Sequence, residues 1–487
     1  MPSSDQGLLT LLPEMCLSLW AIFLLLVGVW RQQALKESWV CLLTLIVVAF
    51  AFSGLIVPED TPTTNGMQAF FGSIDISRVT QSMKGYFLIL VFFVLSIIIP
   101  GFSRLDGGRM ETLVLCLFSI VGGALLFCVN DFLLFFVALE LLSFSLYLLV
   151  ALWKEGKYAT EAAMKYFVTG GLASALLLMG VAFIYGQCGT VQFDLVEHAL
   201  LSDMARESLP PLAYLGMGLV ICSLCFKLSV APFHMWAPDV YRGSSLPALT
   251  FLGSLPKVAA VGAMTLLLKG PFSPLLPSLT PLLGLFAALS MLWGALGALM
   301  QTNIKRFVAY SGISQMGFVL LGFMGQGQLA LEAFNYSLIY AVTFAGMLGT
   351  LAYLEKTGEK LETFEDFSGL SERYPLQGFV FAVFLFSTVG IPPLAGFFAK
   401  LMVFKVVLKE GYYTLFFVAI VSSVISAAYA LRLLRHIYFL SPSEALPPVK
   451  AWRSGGILSL LDVGSSYVAA SFIFLFVFFL YFMGRLN

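Results

Sequence analysis

The sequence predicts an all-α integral membrane protein with about fourteen transmembrane helices, the seventh and twelfth of them broken at proline. Three observations predict it. Of 487 residues, 59% are hydrophobic and 11% charged, with mean hydropathy +0.93, whereas a soluble domain carries roughly a quarter charged residues. Apolar windows of about 19 residues recur along the chain. Two of those windows are too long for one crossing and hold proline near their middles. A bilayer span needs roughly 20 apolar residues, so the chain reads as one polytopic domain and not as a string of soluble ones.

Composition also excludes functions. The 27 Lys and Arg balance the 27 Asp and Glu, which leaves no clustered basic field of the kind nucleic acid requires. The seven cysteines lie almost all in apolar runs, where a thiol behaves as a small hydrophobe. Cys222 and Cys225 form a C-x-x-C, but no second Cys or His pair offers metal ligands. The first apolar run begins near Leu8 with no basic segment before it and no small-residue cleavage site, so it reads as a retained anchor.

In chain order the predicted spans lie near 9–30, 36–56, 82–100, 111–129, 132–152, 160–186, 212–244, 246–268, 278–300, 303–325, 329–354, 375–409, 412–438 and 464–484. The windows 212–244 and 375–409 contain Pro232 and the pair Pro392, Pro393. Proline removes a backbone donor and clashes with the preceding turn, so each should be a helix broken in the membrane.

Lys and Arg set the orientation. With both termini on the external side, cytoplasmic connections collect sixteen of these residues, among them Arg104, Arg109, Lys305 and Arg306. The external side collects six, among them Arg78, Lys84 and Lys269. The external connections 57–81 and 187–211 read as loops and lean acidic.

Five basic residues remain inside spans: Lys165, Lys227, Lys257, Lys400 and Lys405. A charge at bilayer depth costs several kcal/mol, so one that is present faces protein interior or a hydrated path. Glu140 on the fifth span and Lys257 on the eighth are near the midplane. Lys227 precedes Pro232 by five residues, and Lys400 follows Pro393 by seven. Broken helices expose carbonyls and amides that bind water and ions at membrane depth. A buried lysine gives up its proton more readily, and a nearby carboxylate restores it. Glu140, Lys227, Lys257 and Lys400 therefore read as a lateral proton relay. His234, just past the first break, is a further candidate because its reference pKa is near neutrality. Lys165 is a second, weighed against snorkelling to the cytoplasmic edge; Lys405 reads as a snorkelling residue. Asp239 and Arg242 are expected to pair with each other.

The placement of the breaks suggests internal duplication. The domains expected are an N-terminal three-helix segment 1–110, a five-helix unit 111–268, a second unit 269–440, and a C-terminal loop and last helix 441–487. Five is odd, so the second unit enters from the opposite face as an inverted repeat.

The stretches FKLSVAPFHMWAPDVY at 226–241, LPKVAA at 255–260, IKRFVAYSGISQMG at 304–317 and GIPPLAGFFAK at 390–400 resemble the antiporter-like proton-pumping subunits of respiratory complex I, NADH-quinone oxidoreductase, and among them the subunit N branch. The resemblance covers nearly the whole chain. It implies that Glu140, Lys227, Lys257 and Lys400 are the proton-path residues of the fifth, seventh, eighth and twelfth helices, and that Lys165 modulates Lys227. The chain departs from the family pattern after PDVY, where Gly243, Ser244, Ser245, Leu246 and Pro247 stand, and at Asn303, where an aspartate is usual.

By that resemblance the chain is a subunit of an enzyme that couples quinone reduction by NADH to proton transfer, with no redox catalysis of its own. No Rossmann glycine fingerprint or iron–sulfur cysteine set is present, so NADH, FMN, iron–sulfur clusters and quinone belong to other subunits. The implied partners are membrane-arm neighbours, especially subunits M and K, and the implied location is the bacterial inner membrane. Two rivals stay open: a subunit of a multi-subunit cation/proton antiporter, and a non-conducting scaffold whose buried charges fix helix packing.

Overall fold

The computed structural model describes residues 11–30, 44, 46–51, 67–70, 72–99, 109–152, 158–205, 210–325, 331–356, 359 and 361–441. The last predicted span, 464–484, and most of the second lie outside them. Eight helices among the described residues are long and apolar enough to cross a membrane.

Helix α1 (Leu12–Trp30) leads, after the gap, to a small antiparallel hairpin of β1 (Met67–Ala69) and β2 (Ile74–Ile76). Next come α2 (Arg78–Ile98), α3 (Arg109–Leu125), α4 (Phe132–Ala151) and α5 (Ala159–Cys188). The connection 187–211, read as a loop, contains the helix α6 (Phe193–Ala205), because Phe193, Val196 and Leu200 recur at helical spacing and are buried. Helices α7 (Pro211–Leu228) and α8 (Trp236–Gly243) precede α9 (Leu246–Lys269), α10 (Leu276–Met300), α11 (Ile304–Leu321) and α12 (Leu331–Lys356). The short α13 (Leu370–Arg373) opens the last group, α14 (Pro375–Val389), α15 (Ala395–Lys409) and α16 (Tyr413–Phe439).

Helix α9 is almost wholly enclosed, packed by α2, α12, α7 and α3. Helices α5 and α16 form flanks instead, with Leu172, Val168, Phe417 and Val424 exposed.

Two local structures occur twice. Asp131 caps α4 by accepting from Leu133 N at 2.7 Å and Leu134 N at 3.1 Å, and it bridges Gln192 beyond α5. Asn303 caps α11 by accepting from Arg306 N at 3.2 Å, and it bridges Thr363 beyond α12. Even the flanking bonds match: Phe132 N to Val191 O and Phe193 N to Asn130 O in one, Ile304 N to Glu362 O and Phe364 N to Thr302 O in the other. Nine residues before each cap stands a glycine at a helix crossing. A Cβ on Gly122 would fall 2.7 Å from Ala138 O, and one on Gly294 would fall 2.8 Å from Tyr310 O.

The second repeated structure ends α7 and α14. Ser229 (φ 61) and Gly390 (φ 88) adopt the left-handed conformation. In each case the next amide closes a long return bond, Val230 N to Cys225 O at 2.9 Å and Ile391 N to Phe386 O at 3.2 Å, the double-bonded cap that satisfies late carbonyls. Three residues after each left-handed residue stands a proline, Pro232 or Pro393, in a cis peptide.

Candidate functional site

The interior of this bundle holds the lysines, and their partners can be built up helix by helix. On α4, Glu140, Ser143 and Tyr147 stand at i, i+3 and i+7 and share one face. Lys227, in the last turn of α7, points at it: its Nζ donates to Ser143 Oγ at 2.7 Å and to Tyr147 OH at 3.0 Å. The Glu140 carboxylate does not meet this ammonium directly. It accepts from Ser174 Oγ on α5.

Lys257 is buried at the middle of α9, directly after Pro256, which lies inside the helix. Its Nζ donates to Tyr340 OH on α12 at 3.3 Å and sits 5.8 Å from the centre of the Tyr241 ring. Gly312 on α11 leaves room for it, since a Cβ there would be 3.4 Å from Nζ.

Lys400 lies one and a half turns into α15. It donates to Val389 O, the last residue of α14, at 2.7 Å and to Ser423 Oγ at 3.4 Å, with the Phe318 ring centre 4.3 Å away.

All three ammonium groups thus rest on hydroxyls, a carbonyl and aromatic faces. Desolvating a charge without a counter-charge is expensive, and this shared pattern is not what packing by ion pairs produces.

Sequence reading missed the groups between Lys257 and Lys400. Tyr336, one turn from Tyr340, donates to Gln315 Oε1 at 2.6 Å, and Gln315 Nε2 donates to Thr388 O at 2.9 Å, next to the carbonyl that holds Lys400. The signal was present: Gln315 is an amide in an apolar span.

The remaining candidates lie apart from this row. His234 is buried in the segment between α7 and α8 with its ring 5.8 Å from that of Trp293, and its Nδ1 has no hydrogen-bond partner among the described residues. Lys165 is on the flank, bonded to Asp239 at 2.6 Å and Glu161 at 2.5 Å. The expected Asp239–Arg242 pair is therefore replaced. Arg306 also lies 4.0 Å from Asp239, and Arg242 stacks on the Tyr158 ring 3.9 Å from its centre. The two side chains project around α8 in different directions, toward α5 and toward the connection before it. Lys405 is exposed. Lys84, read as an external topology residue, is instead fully buried and paired with Glu14. Helix α2 begins at Arg78, earlier than hydropathy suggests, because Ser77 and Thr80 form a capping box.

An all-helical membrane bundle with these long apolar helices and with Lys227, Lys257 and Lys400 buried inside it has the architecture of the antiporter-like membrane subunits. Residues 129–426 match the family described as NADH:quinone oxidoreductase/Mrp antiporter, TM. NADH-quinone oxidoreductase subunit N of Paramagnetospirillum magneticum is 35% identical over 440 residues, 90% of this chain and 89% of that one. A chain of respiratory complex I from Thermus thermophilus with bound aureothin superposes at TM-score 0.73 with 29% identity, covering 96% of this chain and 97% of that one. A chain of the Mrp complex from Dietzia sp. shares the fold at TM-score 0.79 with 21% identity, covering 97% and 95%. The chain belongs to the NADH-quinone oxidoreductase subunit N family.

Proposed function

We propose that this chain is a proton-translocating subunit in the membrane arm of respiratory complex I, and that Glu140, Lys227, Lys257 and Lys400 pass protons laterally through it while quinone is reduced by NADH elsewhere in the complex. One observation carries the reading: Lys227, Lys257 and Lys400, all buried, are each held by neutral groups, whereas the buried Lys84 is paired with Glu14. An ammonium without a bound carboxylate gains little by keeping its proton, so it exchanges it when a neighbour's charge changes. Ser223 on α7 and Tyr241 beside Lys257 add buried hydroxyls without protein partners among the described residues, groups that ordered water serves.

The finer architecture is proposed on the same footing. The matched caps, glycine crossings and left-handed helix ends support an inverted repeat of 111–268 and 269–440, with the α7–α8 and α14–α15 interruptions as helices broken inside the membrane. Fourteen crossings then place both termini on the periplasmic side of a bacterial inner membrane, as the basic residues favour, with subunits M and K as neighbours. In this reading Lys165 and His234 are accessory, since neither bonds a member of the row.

Lys257→Met in the assembled complex tests it. Proton pumping by membrane vesicles should be lost with assembly intact; a scaffold retains it. Pumping that instead follows sodium concentration makes the chain a cation exchanger.

A further inference from the structure

Among the described residues, a buried ion pair lies outside the row. Glu14 of α1 and Lys84 of α2 meet with both side chains almost fully enclosed. Around them, Lys84 Nζ lies 3.6 Å from Cys128 Sγ, and Gln81 Nε2 lies 3.8 Å from the same sulfur. Helix packing alone is served as well or better by apolar residues, because desolvation consumes the attraction of a buried pair.

Its position is informative. With the N-terminus outside, Glu14 and Lys84 stand within about two turns of the external ends of α1 and α2. Phe87, one turn deeper than Lys84, has its ring 5.3 Å from that of Phe127, which is 5.9 Å from that of Phe334. Phe127 in turn lies on Gly262 of α9, five residues outward from Lys257; a Cβ at Gly262 would be 2.1 Å from its ring. The three rings thus form an apolar layer with Lys257 and Tyr340 beneath it and the Glu14–Lys84 pair above. Outward again, Asp75 N bonds Cys128 O at 2.9 Å, and Asn130 Nδ2 donates to Asp194 Oδ2 at 3.0 Å. Burial, and then the charge of Asp194, push the Asp75 carboxyl up to about 6.

We propose that the Glu14–Lys84 pair is the proton-release site on the external side, separated from Lys257 by a hydrophobic gate of Phe87, Phe127 and Phe334. The inference rests on Lys257 being a relay residue, at which the outward route branches from the lateral one that continues to Lys400. In the resting pair Glu14 is a carboxylate and Lys84 an ammonium. A proton crossing the gate through transient water converts Glu14 to the acid while Lys84 stays charged. Loss of that proton toward Asp75 and the exterior restores the pair, so one proton enters and one leaves. Apolar constrictions of this kind gate by excluding water.

The experiment uses the assembled complex in vesicles, with assembly checked by native gel. Glu14→Gln and the paired replacement Glu14→Met with Lys84→Met should both assemble, and both should pump severalfold more slowly. Phe127→Ala should let an imposed pH gradient collapse severalfold faster without turnover, and adding Glu14→Gln should abolish that leak. Wild-type pumping in the paired Met variant overturns the proposal and makes the ion pair structural. A Phe127→Ala leak that Glu14→Gln leaves untouched also overturns it. Should Phe127→Ala fail to assemble, the two Glu14 variants decide. Lys257→Met, run in parallel, separates the two readings: if it pumps normally the relay itself fails, and if it alone impairs pumping only the outlet fails.

Discussion

Lys227 Nζ hydrogen-bonds Ser143 Oγ at 2.7 Å, one helical turn along α4 from Glu140. The serine lets the carboxylate sit near the lysine without forming a fixed ion pair with it, while Glu140 is occupied by Ser174. Leaving a buried charged donor short of an acceptor costs about 1–3 kcal/mol, although Tyr147 OH at 3.0 Å remains. Ser143→Ala should therefore slow pumping roughly tenfold, the equivalent of about 1.4 kcal/mol, and Glu140→Gln should abolish it. Vesicle acidification with assembly monitored checks both, and normal pumping by Glu140→Gln removes this carboxylate from the path.

The Gln315 amide joins Tyr336 to the Thr388 carbonyl, closing much of the distance between Lys257 and Lys400. Gln315 stands twelve residues past its cap Asn303, as Ser143, which holds Lys227, stands twelve past Asp131. Gln315→Leu and Tyr336→Phe should each reduce pumping severalfold without loss of assembly, and Gln315→Leu more so, because it removes donor and acceptor together. If both variants pump at the normal rate, protons reach Lys400 by another way.

Most of the bundle was legible because lipid imposes a simple rule: long apolar runs with their backbone groups paired internally. Glu140, Lys227, Lys257 and Lys400 stood out as charges at depth. What hydropathy could not supply was partnership. Lys84 lies only six residues into α2 and reads as a boundary residue until Glu14, seventy positions away, is seen against it. Tyr336, Tyr340 and Ser143 are ordinary residues of helical spans, distinguished only by what crosses from the next helix. The proposed repeat, too weak to detect in residue identity, draws its support from backbone geometry, because a cap or a left-handed helix end tolerates several side chains. Asn303 in place of aspartate illustrates this: it caps α11 through the same oxygen geometry.

That equivalence makes a stability prediction. Loss of an N-cap side chain costs about 1 kcal/mol, so Asp131→Ala should lower the thermal stability of the purified protein, whereas Asn303→Asp should leave it nearly unchanged. Equal losses in the two variants would show that charge at these positions matters, and not hydrogen-bond geometry.

Asp75 gives a pH prediction. Its carboxyl is raised to about 6 by burial and by Asp194, against a backbone hydrogen bond that lowers it. The folded form then binds the proton more tightly than the unfolded chain, so this group's contribution is present at low pH and is lost as pH rises from about 4 through about 6. Allowing for solvent screening, the loss is on the order of 1 kcal/mol. Asp75→Asn should flatten that part of the melting-temperature profile; an unchanged slope assigns it to other groups.

Gly390 closes α14 in the left-handed conformation at φ 88, and a Cβ there would stand 2.9 Å from Cδ of Lys400. An L side chain in this region costs about 1–2 kcal/mol from backbone strain alone, and the added methyl also pushes the lysine stem off its seat against Val389 O. Ser229, in the equivalent place after α7, already bears that strain at φ 61, and its hydroxyl is buried without a partner among the described residues. The two positions should therefore respond in opposite directions. Gly390→Ala should lower the melting temperature and slow pumping together, because the strain and the displaced ammonium share one cause. Ser229→Gly should raise the melting temperature and leave pumping near normal, since Lys227 is held from α4 and not by the segment after it. Calorimetry on the purified protein with vesicle pumping in parallel reads both quantities, and a Ser229→Gly variant that loses stability would show that the serine, and not its backbone angle, is what that helix end requires.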